Sequence, residues 1–138
     1  MLIVMVLPIL FLWSFAAATI LPLSSELPLA IAVRQTEDWK LPVLVATLGN
    51  YLGACTTFFL ARAAARRFHA DTRPRARHAA AMLRRFGPPA LLLSWVPLIG
   101  DVIVALAGAA NVPFGWFSFW VVIGKGARYL FVAWLAFR

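Results

Sequence analysis

The sequence predicts an all-α polytopic membrane protein: two re-entrant helical hairpins, each followed by a transmembrane helix, with the halves related as inverted repeats. Three observations carry this expectation: an apolar composition, a basic block set between apolar stretches, and a proline–acid–glycine pattern that occurs twice. Of 138 residues, 63% are hydrophobic and 13% charged, whereas soluble domains run at roughly 45–50% apolar and about 25% charged. Too little polar surface is available for a soluble globule, and disorder requires low hydrophobicity. A single membrane domain over 1–138 accommodates the length.

The formal charge of +8 is unevenly placed, because residues 62–86 hold eight arginines against the single acid Asp71. In a soluble chain this basicity would suggest nucleic acid. Between apolar segments the positive-inside rule accounts for it, placing 65–86 as a cytoplasmic loop and giving no expectation of nucleic-acid binding. The same block attracts anionic lipid head groups. Cys55 is the one cysteine, so neither an internal disulfide nor a thiolate metal cluster is expected. His69 and His78 have no carboxylate or thiol pattern around them, so no metal site is expected.

Four apolar stretches order the chain. The first, 1–33, is broken by Pro8, Pro22 and Pro28 and by Ser24-Ser25-Glu26. Pro22 disfavours helix before it, Ser24 or Ser25 offers an N-cap, and Glu26 falls in the first turn of a new helix. The second stretch continues as a transmembrane helix over 41–64. The third, 87–110, repeats the grammar as Pro97-Leu-Ile-Gly100-Asp101. Cut there, it leaves halves of about ten residues, each about 15 Å long, which reach only the middle of a core about 30 Å thick. It therefore reads as a second re-entrant hairpin, with one kinked spanning helix as the alternative. The fourth, 114–137, is a transmembrane helix. Ala16-Ala17-Ala18 resembles a signal-peptide cleavage site, but the first 25 residues contain no Lys or Arg, and that reading is rejected.

At an offset of 75 residues the halves align: Pro22 on Pro97, Leu23 on Leu98, Glu26 on Asp101, Ala30 on Ala105, Ala32 on Ala107 and Gly49 on Gly124. The charge-balanced linker Arg34–Lys40 is separated from the basic block by one helix, so it lies outside. If both hairpins return to their own side, the halves are inverted and their broken tips meet near the midplane, the plan of many secondary transporters.

Ala18-Thr-Ile-Leu-Pro-Leu-Ser-Ser-Glu26, Ala46-Thr-Leu-Gly-Asn-Tyr-Leu-Gly53, Leu93-Ser-Trp-Val-Pro-Leu-Ile-Gly-Asp101 and Gly124-Lys-Gly-Ala-Arg-Tyr129 together resemble the DedA/VTT (SNARE-associated) superfamily, in particular its short YqaA-type branch. The resemblance covers nearly the whole chain outside the basic loop. It implies two membrane-penetrating hairpins packed on transmembrane helices, in a bacterial inner membrane. It also implies movement of phospholipids or polyprenyl phosphates between leaflets, with proton coupling proposed for bacterial members. Typical members carry arginines three residues before and three after the second-hairpin proline. Those positions here are Ser94 and Gly100, with Asp101 following, so any phosphate contact would fall to Lys125 and Arg128.

Four charged residues, Glu26, Asp101, Lys125 and Arg128, sit within apolar surroundings. A charge at the bilayer centre costs at least about 2.5–3.5 kcal/mol, so such groups face a cavity or a partner. Lys125 and Arg128 share one helix face by spacing. Two readings stand side by side: a buried ion-pair network that fixes hairpin packing, or acids that change protonation while a substrate phosphate engages the bases. Ser25 and Asn50 are neutral candidates for the same space, and Asn50 lies opposite Lys125 by the repeat. Pro22, Pro97 and Gly100 are the hairpin-breaking residues. The half-helix tips add free N–H groups and a positive dipole end, suited to an anion. Gly49-Asn-Tyr-Leu-Gly53 is a small-residue step for close helix packing.

No nucleotide loop, nucleophile elbow or zinc signature is present, and neither an enzyme nor a cofactor is expected. The leading expectation is translocation of an anionic lipid or related amphiphile, coupled to protons through buried carboxylates. The alternatives are a proton-coupled transporter of small solutes or ions, and a membrane assembly or interaction factor that transports nothing. Two spanning helices and two hairpins barely enclose a cavity, which makes a homo-oligomer plausible.

Overall fold

The computed structural model describes residues 2–19, 24–68, 81–97 and 99–138, and among them the only regular structure is helical. The elements are α1 (Leu2–Thr19), α2 (Glu26–Thr36), α3 (Lys40–Phe68), a short helix at 81–86, a 3-10 helix (Pro88–Trp95), α4 (Ile99–Ala109) and α5 (Phe114–Phe137). By length and composition α3 and α5 are able to cross a bilayer. Large apolar side chains such as Leu60, Phe119 and Trp134 are exposed on their outer faces, a surface that lipid suits better than water.

The breaks have local causes. α2 ends at Glu37, which takes a left-handed backbone at φ 53°, and α3 begins where Asp38 Oδ1 accepts the Lys40 N–H at 3.0 Å. Gly87 supplies the positive φ of 65° that the turn before Pro88 requires. Asn111, at φ 56°, turns the chain between α4 and α5.

The long helices run antiparallel, with Asn50 beside Lys125 and Phe58 stacked on Phe117 at 4.1 Å between ring centroids. α1 lies parallel to α3: a Cβ on Gly49 would lie 2.6 Å from the Phe11 carbonyl oxygen and one on Gly53 2.5 Å from that of Phe15. The 3-10 helix lies along α5 in the same way, with Leu91 and Ser94 against Gly124 and Trp95 against Phe131. The second arms cross over. α4 packs on α3, where Gly108 abuts the Phe58 backbone, and α2 packs mainly on α5. Two apolar clusters record this exchange, one around Phe58, Ile103 and Phe117, the other around Leu29, Val33 and Ala133.

Several expectations are adjusted. α1 has 18 residues, about 27 Å of helix, so it is longer than a half-depth arm. Its Leu, Ile and Ala content sustains it past Pro8. α2 continues beyond 33 to Thr36. The segment 65–86 is not loop throughout, since Ala63-Ala64-Ala65 carries α3 on to Phe68 and 81–86 is helical. The half-helix tips are also less open than their position suggests. The Ile99 and Gly100 amides donate to the Pro97 and Val96 carbonyls at 2.8 Å, and Pro28, in the first turn of α2, has no N–H. Pro22 lies outside the described residues.

Candidate functional site

The site is assembled where the start of α2, the start of α4 and the middles of α3 and α5 converge. Lys125 and Arg128 project from one face of α5, while Glu26 and Asp101 stand in the first turns of α2 and α4. Arg128 Nε and Nη2 both donate to Glu26 Oε1, at 3.0 and 2.7 Å. Lys125 Nζ donates to Asn50 Oδ1 and lies 3.4 Å from Asp101 Oδ1. Asn50 is oriented for this by its own amide, which donates to the Ser14 carbonyl at 3.2 Å. Ser25 stands at the N-cap of α2 without capping it, because its hydroxyl shares a hydrogen bond with that of Tyr129 on α5. Ser24 Oγ instead accepts the Glu26 N–H, at 3.4 Å.

Glu26, Asp101, Lys125, Arg128, Asn50, Ser24 and Ser25 line a cavity of about 260 Å³, together with Ala17, Ser94, Val96 and Pro97. Glu26, Asp101, Lys125, Arg128, Ser25, Asn50 and Pro97 thus come together, whereas Gly100 stands behind the wall, where its missing side chain lets α4 approach the Ser94 backbone. The bases are the buried partners and the acids the accessible ones: side-chain exposure is 5% at Lys125 and 15% at Arg128, against 38% at Asp101 and 42% at Glu26. The acids therefore reach toward the cavity, and each neutralises a cation held in low-dielectric surroundings. Among the described residues, no three His, Cys, Asp or Glu side chains gather as a metal site would require.

Absent from the sequence-based site set are Ala17, Ser24, Ser94 and Val96 of the lining, and Tyr129 and Ser14, the hydrogen-bond partners of Ser25 and Asn50. Tyr129 was accessible by spacing, since it follows Lys125 by four positions on the same helix face. Ser94 was marked only as a position where typical members of the resembled family carry an arginine, and Ser14 carried no signal.

The VTT domain model matches residues 21–136, spanning both acids and both bases of the cavity. The chain belongs to the VTT domain family. It is 39% identical over 126 residues to inner membrane protein YqaA of Escherichia coli (strain K12), covering 90% of this chain and 86% of that relative. The Shigella flexneri protein of the same name is equally similar, and an uncharacterized protein of Haemophilus influenzae is 35% identical over 135 residues, covering 92% and 85% of the two chains. No solved structure matches the chain. It is a short, YqaA-like VTT-domain membrane protein, and all of its cavity lining except Ala17 lies in the family-matched region.

Proposed function

We infer that this VTT-domain protein moves an anionic lipid or related amphiphile between the leaflets of a bacterial inner membrane, together with protons carried by Glu26 and Asp101. The observation that supports this reading is one cavity of about 260 Å³ lined by all four charges, two from acids and two from bases, inside an otherwise apolar bundle. That volume lies just below the range of about 300–1,000 Å³ of drug-sized ligand sites. It suits a head group, with the acyl chains left in the surrounding lipid. The membrane assignment draws on the inner-membrane name of the Escherichia coli relative.

The inverted-repeat plan is part of the proposal. It is supported by the way each first arm runs along its own long helix while each second arm packs on the other. Both broken stretches, 1–33 and 87–110, then enter and leave on their own sides. The chemistry is competition. With both acids ionised, Arg128 and Lys125 are neutralised by protein carboxylates. Protonation of an acid releases its cation to an anionic head group, so the reading requires uptake to rise as the pH facing the cavity falls.

The test is reconstitution of the full chain in vesicles of phosphatidylethanolamine and phosphatidylglycerol, with a fluorescent phosphatidylglycerol whose exposure is read by dithionite quenching. The wild type accelerates lipid movement, and E26Q and D101N, folded in detergent, abolish it. Normal rates in both variants defeat the reading. Substrate-dependent pH changes without lipid movement would assign the cavity to a small solute.

A further inference from the structure

The two ion pairs of the cavity are unequal. Arg128 places two N–H donors on one oxygen of Glu26, the nearer at 2.7 Å, which is the normal length of a charge-assisted hydrogen bond. Lys125 lies 3.4 Å from Asp101, longer than such bonds are when formed well. An ammonium has three donors, and Lys125 directs one to Asn50 and one, loosely, to Asp101. Asp101 is therefore the counter-ion more easily displaced.

Next to this loose pair stands Ser94. It is 2% exposed, lines the cavity, and its hydroxyl has no hydrogen-bond partner among the described residues. Buried hydroxyls are ordinarily partnered, and one left without a partner calls for an explanation. Its position is enforced from two sides by missing side chains. A Cβ on Gly100 would lie 2.5 Å from the Ser94 carbonyl oxygen, and one on Gly124 would lie 2.7 Å from the Ser94 hydroxyl. Gly124 directly precedes Lys125, and Ser94 and Lys125 both line the cavity.

We propose that Lys125 and the Ser94 hydroxyl form the seat for the cargo's anionic oxygen, which enters by displacing Asp101 before the tighter Glu26–Arg128 pair opens. The proposal deepens the translocation reading and rests on the same cavity. The shared ligand chemistry is a phosphate oxyanion, presented by a lipid head group or by free phosphate. Ser94 donates the hydrogen bond that selects an oxyanion, and Lys125 supplies the charge.

The experiment is calorimetric titration of the purified full chain in non-ionic detergent with short-chain phosphatidylglycerol and, separately, with inorganic phosphate. S94A weakens binding by about tenfold, the worth of one hydrogen bond to a charged oxygen. D101N tightens it, because the competing carboxylate is gone, an effect a purely structural Asp101 would not produce. G124A, whose methyl group meets the Ser94 hydroxyl, weakens binding in the same direction as S94A and stands in for it if S94A does not fold. S118A, on α5 outside the cavity, binds as the wild type does. Response to phosphatidylglycerol assigns the seat to a lipid head group, and response to phosphate alone assigns it to a free anion. Binding of neither, an S94A affinity equal to wild type, or weaker binding in D101N overturns the proposal. Binding that follows the expected pattern without lipid movement in vesicles supports the seat and defeats translocation. Lipid movement with S94A-insensitive binding does the reverse.

Discussion

Asn50 and Lys125, 75 residues apart, are hydrogen-bonded to each other at the centre of the bundle. The same offset aligns the proline, acid and glycine of the two halves in the sequence. Both side chains line the polar cavity, the amide from α3 and the ammonium from α5.

Asn50 is the closest neutral partner of a cation that is 4% exposed. In N50A the ammonium retains only its long contact to Asp101. Loss of a hydrogen bond to a charged group costs about 1.5–3 kcal/mol, and unfolding of N50A in detergent is expected to show a loss of that size. A native-like unfolding midpoint would mean that Lys125 is satisfied elsewhere.

Arg128 and Glu26 join α5 to α2 across the halves. Their coupling is measurable by a cycle of R128A, E26A and the double variant, with unfolding as the readout. Because Glu26 is partly open to the cavity, a value of roughly 1 kcal/mol is expected, at the top of the range for accessible pairs. Zero coupling would remove the pair as a latch.

Helix contact through glycine makes a contrasting set. A Cβ on Gly53 would fall 2.5 Å from the Phe15 carbonyl oxygen and 2.7 Å from the Ala18 Cβ, whereas one on Gly115 would meet nothing within 4 Å. G53A is expected to cost about 1–3 kcal/mol by overpacking α1 against α3. G115A should be neutral or stabilising by up to about 1 kcal/mol, from helix propensity. Equal effects at the two positions would contradict the α1–α3 interface.

The charged members of the site were legible because an ionisable residue in an apolar stretch is expensive, so Glu26, Asp101, Lys125 and Arg128 each stood out against their surroundings. Pro97 and the glycines announced the breaks and close contacts for similarly local reasons. Ser94 was marked only by the arginine it replaces in the family pattern and Ser14 not at all, since a serine in a membrane helix costs little and its importance depends on what the tertiary structure leaves it facing. The exchange of second arms between halves was equally hidden. It is a choice among apolar faces, and Leu29 or Ile103 would look the same packed on either long helix. The end of α3 was misplaced because arginine marks an interface by charge and also favours helix, and the alanines before Arg66 extend the helix past the basic boundary.

The geometry also bears on sidedness. Arg62, late in α3, donates to the Val112 carbonyl at 2.7 Å, and Phe58 and Phe59 lie against Phe114. At the opposite end Phe137 shares one surface depression with Trp39 and another with Glu37. The turn at 111–113 therefore belongs with the basic end of α3, and the C-terminal end of α5 with the linker between α2 and α3. Single cysteines at 37, 84, 112 and 138, introduced after C55A, turn this into a labelling experiment in intact cells with a membrane-impermeant maleimide. Positions 37 and 138 are expected to react from outside, and 84 and 112 only after permeabilisation, with the arginines of 62–86 held in the cytoplasm by the positive-inside rule. A stretch at 87–110 that crossed the membrane would place 84 and 112 on opposite faces. That outcome would remove the second hairpin, and with it the meeting of Glu26 and Asp101 within the lipid.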